Sequence, residues 1–367
     1  MSKAAELAAL IGSQTALSNR NLIINGAMNI SQRGTSSTGL HDSGYYTVDR
    51  FSLIFGNEDE LRVTMTQNSV TDLPGFANSL KVQTTTAESA IAADESYYII
   101  NRYEGQDFQQ LKYGTSNALS TTLSFYVKSS VTGTFAVAIY QTDGNDIIGS
   151  TYTINSANTW ERKTITFAGN TLAAIVDDNT NAIMIDWFLA VGSNFTSVNN
   201  TSWGGYETGK LAFGHGTNAV GTTTNATWEI TGVQWELGEQ ATPFEHRSFA
   251  DELRRCQRYY AVRENTAGST KYYGRTLQAY GAGSAFGLIA DYPVTMRATP
   301  TISQSGVFGA YYANSGNNSM NNSIQNLYAT SHSWGTGGWT GNSNFTPGDA
   351  VVMYASDGAK LTADAEL

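Results

Sequence analysis

The aromatic residues in glycine- and serine-rich segments are the side chains whose types best suit a binding site. Trp203 and Tyr206 stand in one such segment, and Trp334 and Trp339 stand in a second one. Both segments are predicted to be loops, because clustered glycine, serine and asparagine favour turns. Sugars lay apolar C–H faces on Trp and Tyr rings, while nearby side-chain oxygens accept their hydroxyl groups. The four residues are therefore candidate sugar-binding residues, and packing inside an oligomer interface is the alternative.

The remaining tryptophans that stand in strand-like segments are expected in the core. They are Trp160, Trp187, Trp228 and Trp235. Alternation of apolar and polar residues around them is typical of strands with one buried face.

Paired carboxylates could also act on sugars, because a glycosidase places two of them across the scissile bond. Asp143 and Asp146 form one pair, and Asp177 and Asp178 form another. Turn chemistry explains both pairs, since Asp143-Gly144 is a strong hairpin signal and the second pair precedes an asparagine in a polar loop. We therefore expect no catalytic residue.

Metal-binding residues are few and scattered. Cys256 is the single cysteine, which excludes an intrachain disulfide. The histidines form no pair at metal-ligand spacing; they are His41, His215, His246 and His332. The residues by themselves predict no cofactor.

The charge balance argues against a nucleic-acid partner. The chain of 367 residues has a net charge of −10, and only 14% of its residues are charged. Binding to phosphates depends on clustered Lys and Arg. No apolar run approaches the roughly 18 residues that suggest a membrane-spanning helix, so we also expect no membrane insertion. No secretory leader is recognisable at the N-terminus.

A short amphipathic helix is predicted from Ser2 to about Gln14. A helix of roughly three turns is marginal in isolation. We expect it to dock on a partner protein or on its own copies in an oligomer. Its apolar face follows helical spacing and consists of Ala4, Leu7, Ala8 and Ile11.

Short alternating segments predict a β-domain after this helix. Leu22-Ile23-Ile24 is expected to open the first strand, and Leu211–Gly214 is expected to form a late one. The Asp143-Gly144 signal predicts a hairpin between two alternating segments. Roughly ten short strands without a long helix between them indicate an antiparallel sandwich or jelly roll.

The segment Ser248–Tyr260 interrupts the strands with a predicted helix. Ser248 and Asp251 are spaced like a capping box at its start. Strands resume after it, so we expect a linker helix followed by a second, smaller C-terminal β-sandwich. The predicted apolar face of the helix consists of Phe249, Leu253, Cys256 and Tyr260.

Two parts of the sequence carry a family likeness. The first is Asn21-Leu-Ile-Ile-Asn-Gly-Ala-Met-Asn-Ile-Ser-Gln-Arg-Gly34, followed by Tyr45-Tyr-Thr-Val-Asp-Arg-Phe51. The second is Val233-Gln-Trp-Glu-Leu-Gly-Glu-Gln-Ala-Thr-Pro-Phe-Glu-His-Arg247, followed by Asp251-Glu-Leu-Arg-Arg-Cys-Gln-Arg-Tyr-Tyr260. Together they resemble tail-fibre-like virion proteins of tailed bacteriophages, of the marine and cyanobacterial type. The likeness includes a carbohydrate-binding-type jelly roll, whose opening and closing strands these motifs match.

The resemblance implies an order of segments along the chain and a location of the protein on the virion. An attachment helix (1–20) would precede a jelly-roll domain (21–246), a linker helix (247–260) and a distal β-domain (261–367). The protein would sit on the virion as a homotrimer and contact other virion proteins through its N-terminus.

The resemblance also makes a structural calcium ion possible. Jelly rolls of the carbohydrate-binding type often hold one near their first and last strands. Asn25, Asp49 and Glu236 offer suitable oxygen atoms, although none of them is assigned as a ligand.

The expected function is adhesion of a phage tail fibre to a host-surface glycan. The first alternative is a purely structural virion protein, such as a capsid decoration, a head fibre or a fibre connector. The second alternative is a depolymerase that degrades surface polysaccharide.

Overall fold

The computed structural model describes residues 19–57, 59–216, 220–266, 268–281, 284–286, 289–312, 318–320, 325–340, 347–348 and 350–367. The predicted N-terminal helix, with Ala4, Leu7, Ala8 and Ile11, lies outside these residues. The chain divides into two units. The first ends at Glu252 and includes Leu367, and the second is Leu253–Glu366.

The first unit contains two antiparallel sheets of six strands each. Sheet A has the order β1-β3-β4-β12-β6-β9, and sheet B has the order β11-β8-β7-β10-β5-β2. The strands are β1 (Ser36–Leu40), β2 (Phe51–Gly56), β3 (Arg62–Ser69), β4 (Asn78–Thr86), β5 (Ser96–Glu104), β6 (Thr121–Ser129), β7 (Gly133–Gln141), β8 (Asp146–Ile154), β9 (Glu161–Phe167), β10 (Asn181–Val191), β11 (Gly204–Gly205) and β12 (Thr227–Leu237).

The chain crosses repeatedly between the two sheets, as it does in a jelly roll. It passes from β4 in sheet A to β5 in sheet B, returns to β6, and crosses again to β7. Apolar side chains of both sheets, such as Val63 and Ile183, meet in one core. The first unit is therefore an antiparallel jelly-roll sandwich, and the predicted fold class is confirmed.

Most of the strand tryptophans fill this core. Trp187, Trp228 and Trp235 are fully buried. Trp160 is only half-buried, and its indole N–H donates to the Asp72 carboxylate at 2.8 Å. The prediction that Trp160 lies in the core is wrong, because its polar edge binds a surface carboxylate.

The predicted hairpin is confirmed between β7 and β8, which pair from Gly133 to Ile154. The turn differs in detail from the prediction. The left-handed residue is Asn145, with φ 54°, rather than Gly144. A Cβ atom on Gly144 would overlap the Ala173 side chain, so this glycine is needed for close packing rather than for its backbone angle.

The expected first strand at Leu22-Ile23-Ile24 is wrong, although this segment lies beside β12. Directly after this segment, Asn25 and Met28 adopt left-handed conformations, with φ 63° and 57°, so the extended path ends after a few residues. The Leu22 N–H still donates to the Trp235 carbonyl of β12 at 2.8 Å. The two motifs that carry the family likeness therefore contact each other.

The expected strand Leu211–Gly214 is also wrong. A 3₁₀ turn at Thr208–Lys210 precedes it, and Gly214 is left-handed with φ 77°. The segment is folded as turns because Leu211 and Ala212 pack against sheet B instead of pairing with a strand.

The predicted linker helix is α1 (Phe249–Gln257). Its capping box forms, since the Ser248 hydroxyl donates to Asp251 at 2.6 Å and accepts the Asp251 N–H at 3.2 Å. Cys256 is buried, but Phe249 is 62% exposed. Tyr260 starts a strand and pairs with Asp364. The predicted apolar face is therefore wrong at both ends.

The second unit is also antiparallel β. One sheet has the order β13-β23-β17, and the other has the order β16-β21-β15-β14-β22-β18-β19, with β20 paired to β21. The strands are β13 (Tyr260–Glu264), β14 (Lys271–Gly281), β15 (Ser284–Phe286), β16 (Ile289–Asp291), β17 (Thr301–Ser305), β18 (Phe308–Tyr312), β19 (Asn318–Met320), β20 (Gln325–Ala329), β21 (Ser333–Thr340), β22 (Ala350–Ala355) and β23 (Lys360–Asp364).

The predicted loop around Trp334 and Trp339 is wrong. Both residues belong to β21, where Trp334 pairs with Ala290 and Trp339 pairs with Ala285. Backbone pairing on both sides of β21 outweighs the local turn preference of its glycines, because strand formation depends on neighbouring strands more than on intrinsic propensity.

Candidate functional site

Trp203 and Tyr206 lie on opposite sides of one short extended segment. Between them, Gly204 and Gly205 form β11 and pair with β8. Trp203 packs against the core between the sheets, whereas Tyr206 packs against an apolar cluster on the outer face of sheet B. Residues an odd number apart in an extended chain point to opposite faces. The structure therefore assigns these two candidates to two different surfaces.

The surface that holds Tyr206 is built on three neighbouring strands of sheet B. In the middle strand, β10, Asp186 pairs with Ile100 of β5 and with Ala138 of β7. Arg102 and Tyr140 lie two residues beyond these partners, so both are diagonal neighbours of Asp186 on one face. We call Tyr98, Arg102, Tyr140, Asp186 and Tyr206 the tyrosine face.

Strand alternation explains why these side chains point outward. Ile183, Ile185 and Trp187 of β10 belong to the core between the sheets. The intervening residue Asp186 must therefore project from the opposite side of the strand. Tyr98 and Arg102 of β5 alternate in the same way with the buried Ile99 of that core.

Asp186 is the most unusual group on this face. It is only 4% exposed, and within the described part of the chain its Oδ1 atom has no hydrogen-bond partner. A buried acceptor without a partner costs about 1–3 kcal/mol, and more when it is charged.

The burial of Asp186 also changes its acidity. Desolvation raises the pKa of Asp186 to about 7, against the opposing effect of the Arg102 charge. Desolvation likewise raises the pKa of Tyr140, and Tyr206 and Asp186 act in the same direction. The carboxyl group therefore changes between a hydrogen-bond donor and a charged acceptor near neutral pH.

The tyrosine rings form the apolar part of this face. The Tyr140 and Tyr206 rings lie 5.1 Å apart between centroids and are tilted by 41°. The Tyr140 hydroxyl donates to Asn145 Oδ1 at 2.6 Å, and the Tyr206 N–H donates to the Asn145 carbonyl at 2.7 Å. Asn145, in the turn between β7 and β8, therefore holds both tyrosines in place.

The Tyr98 ring and the Arg102 guanidinium complete the face. Tyr98 lies 5.1 Å from Phe188 between ring centroids. Arg102 donates from Nη1 to the Tyr45 hydroxyl at 3.3 Å. Half-exposed rings, a guanidinium and a carboxylate on one face provide stacking surfaces together with hydrogen-bond donors and acceptors.

The sequence interpretation found Tyr206 but missed the rest of this face. The available signal was Asp186, a carboxylate in the middle of the otherwise apolar run Ala182–Val191. Buried carboxylates are rare unless they are paired. The pairing of β5, β7 and β10 was needed to bring Arg102 and Tyr140 beside it.

The oxygen atoms suggested for calcium already bind protein groups. Asp49 accepts hydrogen bonds from the Gln32 N–H at 2.9 Å and the Gln32 amide at 2.6 Å. Glu236 accepts from the Thr242 hydroxyl at 2.6 Å, and Asn25 Oδ1 accepts from the Ile30 N–H at 2.9 Å. Among the described residues, no group of three or more His, Cys, Asp or Glu is placed to hold a metal ion.

The described helices include none that is both long and apolar enough to cross a membrane.

No protein-family model matches this sequence, and no curated protein matches it. Among solved structures, the enzymatically active domain of tailspike protein 4 of bacteriophage CBA120 is similar at 14% identity and a TM-score of 0.31. That match covers 60% of this chain and 22% of the tailspike chain.

Carbohydrate-binding modules are similar at the same level. The family 11 module of a cellulosomal cellulase of Clostridium thermocellum matches at 12% identity, covering 58% of this chain and 98% of its own, with a TM-score of 0.29. The C-terminal family 22 module of Xyn10B, from the same organism, matches at 12% identity, covering 55% and 94%, with a TM-score of 0.28. Likenesses this distant carry no argument about function.

Proposed function

We propose that the first unit binds a glycan on the tyrosine face and that the protein is an adhesive component of a phage virion. The observation that carries the binding proposal is the pair of half-exposed rings of Tyr140 and Tyr206, which lie 5.1 Å apart between centroids beside the Arg102 guanidinium. A sugar fits this surface, because its apolar C–H face can stack on the rings while its hydroxyl groups bond the polar groups around them.

The place on a virion is proposed from the sequence likeness to tail-fibre-like phage proteins. In this proposal the N-terminal segment attaches the protein to other virion proteins, and the glycan belongs to the host surface. Assembly as a homotrimer would present three tyrosine faces at once. Linked sites can raise the overall affinity by about 10²–10⁴ without any new contact.

A non-enzymatic role fits the composition of the face. The tyrosine face contains one carboxylate, Asp186, whereas glycoside hydrolysis generally uses two. In the alternative of a purely structural virion protein, the same tyrosines would contact another subunit instead of a glycan.

The test is glycan binding by the full chain and by Tyr140→Ala and Tyr206→Ala variants. An array of bacterial lipopolysaccharides and capsular polysaccharides identifies the best probe, and calorimetry then measures its affinity. We expect each variant to bind about tenfold more weakly, since a stacking contact of about 1.4 kcal/mol corresponds to one order of magnitude.

The matched control is Tyr126→Ala. Tyr126 is also a half-buried strand tyrosine, but it lies on β6 of sheet A and packs on Phe76 at 5.3 Å between centroids. Equal affinities for the wild-type chain, Tyr140→Ala and Tyr206→Ala would overturn the assignment of the face. A correctly folded wild-type chain that binds no glycan would favour the structural alternative.

A further inference from the structure

A groove lies where the edges of the two sheets of the first unit face each other. It has a volume of about 500 Å³, within the ~300–1,000 Å³ range of small-ligand pockets. One side is formed by Ile148–Ser150 of β8, and the other by the end of β9 and the residues that follow it, Thr166–Gly169. Trp203 and Leu172 also line it. We call this cavity the Trp203 groove.

The Trp203 ring is held rigidly in this groove. Its indole N–H donates to the Ala168 carbonyl at 2.6 Å, and the Tyr113 ring packs nearby in an edge-on arrangement at 5.6 Å between centroids. Because the N–H is already bonded within the protein, the ring can offer a ligand only its apolar face. A fixed aromatic surface loses little conformational entropy on binding.

An exposed apolar side chain stands at the rim of the groove. Leu172 is 59% exposed, although it follows the fully buried Asn170. The Asn170 side chain accepts the Leu172 N–H at 2.9 Å and donates to Gln141 at 2.8 Å. The buried Asn170 therefore fixes the loop that carries Leu172. The Leu172 side chain stays exposed to solvent and lines the groove together with Trp203.

The polar part of the lining consists of hydroxyl groups. They belong to Ser150, Thr166, Thr171, Thr201 and Ser202. Two of them already donate within the protein, Thr166 to the Glu239 carbonyl at 3.3 Å and Thr201 to Asn199 Oδ1 at 2.8 Å, so they can act on a ligand as acceptors. The residues that line the groove include no Asp, Glu, Lys, Arg or His. Hydroxyl groups both donate and accept hydrogen bonds, as sugar hydroxyls do. A lining without charge gives no compensation for burying a charged ligand, so it favours a neutral one.

We propose that the Trp203 groove is a second saccharide-binding site, separate from the tyrosine face, and that it takes a neutral hexose unit. One face of the sugar ring stacks on Trp203, Leu172 covers its edge, and the serine and threonine hydroxyls bond its hydroxyl groups. A single unit of the protein then holds two sugar sites, which are supplied by the two ends of one segment, Trp203–Tyr206.

The experiment follows the indole N–H signals of the full chain by nuclear magnetic resonance during titration with sugars. The probes are maltotetraose, cellotetraose, mannotetraose and tetra-N-acetylchitotetraose, with tetragalacturonate as the acidic comparison. Trp203→Phe identifies the Trp203 signal by its loss. We expect that signal to shift with at least one neutral probe and to stay in place with tetragalacturonate.

Two variants of one loop, the first at the rim of the groove and the second away from it, show whether the groove itself binds. Leu172→Lys places a charge at the groove, and it is expected to reduce the affinity about tenfold or more. Val176→Lys is the matched control, because Val176 is also exposed, at 53%, and stands in the same loop without lining the groove.

The outcomes separate this site from the tyrosine face. The groove proposal is supported if Leu172→Lys weakens sugar binding and Tyr140→Ala leaves it unchanged. If only Tyr140→Ala weakens sugar binding, the groove proposal is overturned and the proposed function of the tyrosine face remains. The groove proposal is also overturned if the Trp203 signal shifts with no neutral probe. It is overturned as well if Leu172→Lys and Val176→Lys lower the sugar affinity equally.

Discussion

At the scale of single residues, Asp186 is a buried carboxyl group that costs stability beneath the exposed rings of the tyrosine face. Its carboxyl group lies in an apolar setting, and Oδ1 has no hydrogen-bond partner among the described residues. Nearby Arg102 only partly offsets this burial. Groups whose pKa is shifted by burial are common at functional sites.

The pKa of Asp186 predicts a dependence of stability on pH. Burial raises this pKa from 3.8 to about 7, so the protonated form is favoured in the folded state. The contribution of protonated Asp186 to the free energy of unfolding is fully present below about pH 4 and is lost as the pH rises through about 7. At 1.36 kcal/mol per pKa unit the loss is at most roughly 4 kcal/mol.

We expect Asp186→Asn to be more stable than the wild-type chain at pH 8, and to lose this advantage at pH 4. Urea denaturation at several pH values measures the difference. Asp94→Asn is the control, since Asp94 is exposed. A stability difference for Asp186→Asn that stays constant from pH 4 to pH 8 would contradict the burial argument.

At the scale of elements, the β7–β8 hairpin controls the geometry of the tyrosine face. Its turn residue Asn145 has two roles, since it adopts the left-handed conformation and its side chain accepts a hydrogen bond from Tyr140. A left-handed conformation costs most side chains roughly 1–2 kcal/mol, whereas glycine adopts it freely.

Substitutions of Asn145 separate the two roles. Asn145→Gly removes the hydrogen bond and keeps the backbone, so we expect weaker glycan binding with little change in stability. Asn145→Ala removes both, and its free energy of unfolding is expected to fall by a further ~1–2 kcal/mol. Thermal denaturation and calorimetry on the same samples measure both effects. Equal glycan affinities for Asn145→Gly and the wild-type chain would show that the bond to Tyr140 does not position the ring.

At the scale of the whole molecule, adhesion depends on how many binding faces act together. Weak saccharide sites become effective when several copies bind one surface. The N-terminal segment, with its predicted apolar face, is the part of the sequence that we expect to join copies or to attach them to the virion.

We expect the full chain to have the mass of a trimer, and the double variant Leu7→Asp/Ile11→Asp to lose that mass, because charges disrupt an apolar helix interface. Light scattering coupled to size exclusion measures both. Lys3→Ser in the same segment is the control, since it leaves the apolar face unchanged. A trimer that survives the double substitution would place the contacts elsewhere in the chain.

The sequence by itself determined the features that depend on local order. Alternation predicted β7 and β8, the Asp143-Gly144 signal predicted their hairpin, and the spacing of Ser248 and Asp251 predicted the start of α1. These features rest on side-chain periodicity and on turn and capping chemistry within a few residues. The all-β fold class followed from many such short segments taken together.

Only the tertiary structure decided which residues share a surface. Strand pairing brought Asp186 beside Arg102 and Tyr140, which stand on three strands far apart in the sequence. It also turned the glycine-rich segment around Trp334 into β21, and it separated Trp203 from Tyr206 although they are neighbours along the chain. The physical reason is that register and sheet order, which long-range pairing sets, determine the face on which each side chain lies.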